Sequence, residues 1–155
     1  MTNWLDDDEM RAWRGLVEVF SDVRASLEAE LMDHFGITEG DYGVLVLLSE
    51  ADGHRSRMCD LAGRLHLTPG GLTRRLDGLV ARGLVRREPS VEDRRVVLAA
   101  LTDEGMALLE QAAPVHVGGV RRHLLDHLDR HQLRVIADSF DEVRQARLSE
   151  SSVTP

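Results

Sequence analysis

A chain of 155 residues with 43% hydrophobic content can build one domain around a packed core. No apolar run approaches the ~18 residues of a membrane span, and the acidic first ten residues lack the apolar segment of a secretory signal, so a cytoplasmic protein is expected. The single cysteine, Cys59, excludes an intrachain disulfide framework and a Cys-based zinc finger, while the net charge of −8 argues at first sight against a nucleic-acid partner.

In chain order, the Asp6 to Glu9 spacing predicts a capping box opening a helix to about His34, with Leu16, Phe20, Val23, Leu27 and Leu31 on one face. Gly36 would stop it. Thr38 is placed to cap a second helix through Leu48, whose apolar run Val44 to Leu48 heads into a core. Met58 to Leu65 has the length of a short scaffold helix, and His66 and Leu67 make a tight turn.

Thr68 and Pro69 then suit the N-cap and first position of another helix, which runs to Gly83 as its C′ residue. Leu72, Leu76, Leu79 and Val80 make an apolar stripe along it. At 100° per residue Arg74 lies almost opposite that stripe, flanked by Thr73 and Arg75. An outward Arg can pair bidentately with guanine in a major groove, so Thr68, Pro69, Gly70, Thr73, Arg74 and Arg75 are candidate DNA contacts. Gly70 and Gly71 weaken the first turn by about 1 kcal/mol each relative to Ala, and permit a close backbone approach to phosphate.

Past Gly83 the pattern becomes strand, turn, strand: residues 84–88, a Pro-containing turn at 89–93, and residues 95–101. The tip carries Asp93, Arg94 and Arg95, two guanidinium groups suited to phosphate or a narrow minor groove, with an Asp to brace one of them. Thr102 caps a long helix with Leu109, Ala113, Val117, Val120, Leu124 and Leu128 in a stripe, and Pro114 and Gly118–Gly119 are candidate bend points. A last helix from about Arg130 to Leu148 presents Leu133, Ile136, Ala137, Phe140 and Val143. Residues 149–155 read as a disordered tail.

The fold class expected is therefore mainly α with a small β-hairpin (α+β), in one domain. Residues 38–101 form a winged helix-turn-helix, and residues 6–35 and 102–148 a helical lobe. The acidic net charge is unevenly spread. Between His54 and Arg95 ten arginines meet five acids, while the remainder holds nine arginines and 22 acids. The basic lobe should face DNA and the acidic lobe face away from it.

Arg-Gly-Leu-Val-Arg-Arg at 82–87, Asp-Arg-Arg at 93–95 and Leu-Thr-Asp-Glu-Gly at 101–105 resemble the MarR family of bacterial transcriptional regulators, with matching spacing from about Tyr42 to Gly105. Gly70–Gly71 departs from the family, which more often has Ser or another hydrogen-bonding residue there. The resemblance implies a homodimer formed by the terminal helices and a double-stranded DNA partner with a pseudo-palindromic operator. It also implies repression relieved by a small aromatic or phenolic effector bound between the helical lobe and the DNA module. Trp13, Arg14, Phe20, Arg55 and Met58 are the candidate effector-pocket residues.

Other readings stay open beside this one. They are a monomer with its helices folded back, and an effector-independent architectural DNA-binding or interaction protein. A metal sensor could use His123 and His127, with Asp126 and Asp129 nearby and His116 and His131 as neighbours in sequence. A redox sensor could use Cys59, although the peroxide sensors of the family carry their reactive cysteine in the first helix, which has none here. A small buried structural thiol is the expectation for Cys59, and ordinary surface or interface positions for the histidines. No metal and no cofactor is expected. An enzyme is not expected either, for the chain has no Gly-rich phosphate loop, nucleophile elbow or metal-hydrolase motif.

Overall fold

The structure is a computed structural model and describes residues 2–91 and 93–151, without the side chains of residues 150 and 151. It divides into two compact units, Met1–Gly119 and Val120–Pro155. Six α-helices and three short strands appear among the described residues. They are α1 (Asp7–Phe35), α2 (Glu39–Ser49), β1 (Arg55–Arg57), α3 (Met58–Arg64), α4 (Pro69–Ala81), β2 (Val85–Pro89), β3 (Val97–Leu101), α5 (Asp103–His123) and α6 (Arg130–Ser151). None of these helices is long and apolar enough to cross a membrane.

Local chemistry sets the helix ends. Asp6 accepts from the Glu9 N–H while the Glu9 carboxylate accepts from the Asp6 N–H, closing the expected capping box at α1. Gly36 ends α1 in the left-handed conformation at φ 62°. A second capping box joins Thr38, the expected cap, with Asp41 at α2. Thr68 accepts from the Gly71 N–H with Pro69 at the first position of α4, and Gly83 takes φ 72° beyond its end.

The core of the first unit is aliphatic. Leu31, Ile37, Val44, Leu45, Leu48, Leu61, Leu72, Leu76 and Leu79 are almost fully buried in it. Each contributes roughly 1.5–3 kcal/mol through removal of its side chain from water. The α4 stripe is thus the surface by which that helix is held, and its opposite face is left in solvent. Tyr42 of α2 stacks on His116 of α5 with ring centroids 4.4 Å apart. Burial holds the His116 imidazole below the ordinary histidine range, against the opposing pull of Glu39 and Glu30.

The sheet is larger than the expected hairpin. β2 and β3 pair antiparallel with Val85 opposite Leu101 and Pro89 opposite Val97, and β1 adds on the far side of β3 with Arg55 opposite Ala100. The sequence Arg-Ser-Arg offers no apolar alternation, so β1 exists because the open edge of β3 offers it backbone partners.

Two helical expectations are corrected. The stripe assigned to one long helix through Leu128 is interrupted, because α5 ends at His123 and a single 3-10 turn spans Leu125–His127. Pro114 sits inside α5 without ending it. Residues 149–151, expected to belong to a disordered tail, are helical, since α6 continues to Ser151, with the Ser149 hydroxyl donating to the Gln145 carbonyl. Neither Gly nor Pro occurs between Arg130 and Ser151. The expectation for residues 152–155 lies outside the described residues, as does Glu92 of the wing turn.

Candidate nucleic-acid interface

Leu72, Leu76 and Leu79 hold α4 against the core, so the exposed face runs through Thr68, Pro69, Gly70, Thr73 and Arg74. Thr73 returns its hydroxyl to the Pro69 carbonyl at 2.9 Å. A methyl added at Gly70 would meet nothing within 4 Å, so packing does not require this glycine, and the open first turn exposes backbone N–H groups. Beyond α4, the wing turn is tightened by the Asp93 carboxylate, which accepts from the Arg95 backbone N–H at 3.0 Å. Asp93 therefore braces the loop backbone, where the sequence suggested that it would brace a guanidinium.

The basic segment sorts itself by partner. Arg82 donates to the carbonyls of Gly36 and Phe35 at the end of α1, and so caps that helix. Arg87 bonds Asp77 at 2.8 Å and the Thr73 carbonyl at 3.2 Å, tying β2 to α4. Arg55 and Arg86 both reach Glu88, and Arg64 reaches Glu50. Arg75 turns back from the helix surface, where its Nη1 donates to Thr38 Oγ1 at 2.9 Å and Asp41 Oδ1 at 3.2 Å. Arg74, Arg94 and Arg95 have no side-chain hydrogen bond or ion pair among the described residues. Sequence alone could not make this division. The internal partners Glu50, Glu88, Asp77 and Asp41 lie 10 to 34 residues from the arginines they bind, except for the Arg86 and Glu88 pair.

A cleft of about 480 Å³ opens where α1, α2 and α4 meet, lined by Phe20, Ser21, Arg24, Ala25, Glu28, Thr38, Glu39, Gly40 and Arg75. Arg24 pairs with Glu39 and stands 5.6 Å from the Phe20 ring centroid. Of the five candidate pocket residues only Phe20 lines this cleft. Trp13 and Arg14 are exposed on α1, Met58 packs against the core, and Arg55 is engaged with Glu88. Arg24 and Glu39 were missed because their pairing joins two helices across 15 residues of sequence.

The metal alternative loses its structural premise, and the expectation for Cys59 is corrected. Cys59 is exposed, correcting the expectation of a buried thiol: α3 turns Leu61 and Ala62 inward, and Cys59 lies beside Asp60 on the outer side. His123 and His127 do not share a helical turn, because α5 ends at the first of them and the second bonds the Arg122 carbonyl. No group of three or more potential metal ligands occurs among the described residues.

The MarR family model matches residues 37–97, the span from the start of α2 to the wing. The chain is 32% identical over 120 residues to the HTH-type transcriptional repressor YetL of Bacillus subtilis (strain 168), covering 73% of this chain and 72% of that protein. Among solved structures it superposes on AbsC, a MarR family transcriptional regulator from Streptomyces coelicolor, with TM-score 0.88 and 36% identity over 96% of this chain and 99% of that one. A second MarR family regulator of that organism, solved in complex with DNA, gives TM-score 0.88 and 32% identity over 94% of this chain and 91% of its own. These relatives are regulators rather than enzymes, and with the helix-turn-helix, the wing and this degree of identity the chain belongs to the MarR family of transcriptional regulators.

Proposed function

We propose that the protein is a homodimeric DNA-binding repressor that reads a pseudo-palindromic operator with α4 and the wing, and that a small aromatic or phenolic effector releases it. The observation that carries the DNA-binding reading is the partition of the arginines. Among the described residues Arg74, Arg94 and Arg95 are left without internal partners, one on the exposed face of the second helix of the helix-turn-helix and two at the wing tip. Two relatives of this fold, solved in complex with DNA, support the DNA-binding reading.

Arg74 is suited to a base edge and Arg94 to phosphate, so their removal should differ in kind. On a site selected by the wild-type protein from a random DNA pool, Arg74→Ala should cost about 1–3 kcal/mol and relax preference at one base position per half-site. Arg94→Ala should weaken binding to all sequences and lower the salt slope by about one contact per subunit. Equal weakening of every sequence by Arg74→Ala, together with a changed G·C preference in Arg94→Ala, would reverse the two roles.

The effector reading rests on the cleft at α1, α2 and α4, where the Phe20 ring offers a stacking face and Arg24 a cation for a carboxylate. An aromatic carboxylate series titrated against the DNA complex should displace the protein, and Arg24→Ala should weaken that response while sparing DNA affinity. Displacement that is unchanged by Arg24→Ala would place the effector elsewhere.

A further inference from the structure

We infer that Arg75 is a positioning residue that fixes the angle of α4 through a notch at Gly40, and is not a DNA contact. The inference rests on α4 being the DNA-reading helix. Arg75 is one residue from Arg74 and belongs by sequence to the same basic face, yet its side chain is only 28% exposed and its carboxylate partner Asp41 only 21%. Its two acceptors, Thr38 Oγ1 and Asp41 Oδ1, are the residues that form the capping box of α2. Thr38 accepts from the Asp41 N–H at 3.0 Å and Asp41 Oδ2 accepts from the Thr38 N–H at 3.1 Å, so the guanidinium joins a structure already held in place. A charge-assisted bond onto such a fixed acceptor holds the donor's helix as well.

Gly40 explains why the pose is possible. A methyl group there would overlap the Arg75 guanidinium. Glycine in the first turn of α2 costs roughly 1 kcal/mol relative to alanine, so its presence has to be compensated, and passage of the Arg75 side chain supplies the reason. On the other flank of α4, Asp77 is held by Arg87 of β2. Residues 75 and 77 lie about 200° apart on the helix, so the two ion pairs oppose rolling of α4 in either direction about its leucine stripe. Rolling would swing Arg74 away from a base edge.

The atoms that a Gly40 methyl displaces are the far end of a flexible side chain, so Gly40→Ala should move the guanidinium without unfolding the protein. The experiment measures DNA binding by Arg75→Ala, Gly40→Ala and the double variant. It uses a site selected by the wild-type protein, over a range of salt concentrations. Each single variant should bind roughly tenfold more weakly with the wild-type salt slope, and the double variant should be no weaker than Arg75→Ala. If Arg75 touched phosphate, Arg75→Ala would lower the salt slope by one contact per subunit and Gly40→Ala would be silent. That pattern, or additive losses in the double variant, overturns the inference while leaving the DNA-binding reading intact. If the wild-type protein selects no sequence at all, the DNA-binding reading falls and this inference with it.

Discussion

A chain lacking residues 130–155 is expected to be monomeric and to bind a selected two-fold DNA site by roughly two orders of magnitude less tightly, the loss that follows when two linked half-site contacts become independent. The reason lies in α6, which has no buried residue among those described, although its sequence is amphipathic. Ile136, Phe140 and Val143 are 39%, 46% and 57% exposed. An amphipathic helix gains most of its stability from a covered apolar face, and the proposed homodimer would give α6 that cover. On α1, Trp13, Leu16, Val17 and Phe20 are exposed in the same way, and contiguous apolar surface of this kind marks an association site. In the proposed homodimer a second copy of the chain is expected to cover both sets.

Deletion can also harm folding, so the stronger form of the test is Ile136→Asp combined with Phe140→Asp, which keeps the helix and charges its apolar face. Sedimentation should give a monomer with native helical content, and DNA binding should fall as in the deletion. A dimer with unchanged affinity in both variants would mean that other surfaces hold the assembly.

How much of this was legible in the sequence depended on whether the determining contact was local. Capping residues and left-handed glycines act within a few positions of themselves, so Asp6, Gly36, Thr38, Thr68 and Gly83 marked helix ends that the structure reproduces to within about two residues. The leucine stripe of α4 was readable for the same reason, and with it the outward direction of Arg74. What could not be read was set by distant partners. β1 is a strand only because β3 offers it an edge, and Arg75 faces inward because Asp41 and Thr38, 34 and 37 residues earlier, are placed to accept from it. The sequence pattern put Thr73 and Arg75 on symmetric flanks of Arg74, and tertiary pairing broke that symmetry. The α5 stripe failed at its far end because periodicity cannot see a chain leave the helix at His123 while apolar residues continue to recur.

The family motif Leu101 to Gly105 has a mechanical reading that leads to the second large effect. Thr102 donates its N–H to the Leu84 carbonyl at 3.2 Å and its hydroxyl to the Gly83 carbonyl at 2.7 Å, while the hydroxyl oxygen accepts from the Gly105 N–H at 2.9 Å. The start of α5 is thereby pressed onto the backbone between α4 and β2, and Gly105 is the buried residue at the point of closest approach. A methyl there would overlap the Leu84 carbonyl oxygen and stand 2.8 Å from Leu101 Cδ1. Unlike the guanidinium opposite Gly40, a backbone carbonyl already engaged by Thr102 cannot swing aside. Overpacking of this kind costs about 1–3 kcal/mol and sometimes more, and the immobility of the neighbour puts Gly105→Ala at the upper end. About 3 kcal/mol corresponds to a fall in melting temperature of roughly 6–12 °C for a chain of this size. Gly78→Ala supplies the control, because it lies in the exposed interior of α4 with nothing within 4 Å of an added methyl. Helix propensity alone should then raise stability by up to about 1 kcal/mol. Thermal unfolding of the two variants beside the parent should show shifts of opposite sign. A Gly105→Ala protein that melts at or above the parent temperature would mean that α5 can lift from Leu84 without cost, and that the close approach does not hold the wing to the helix behind it.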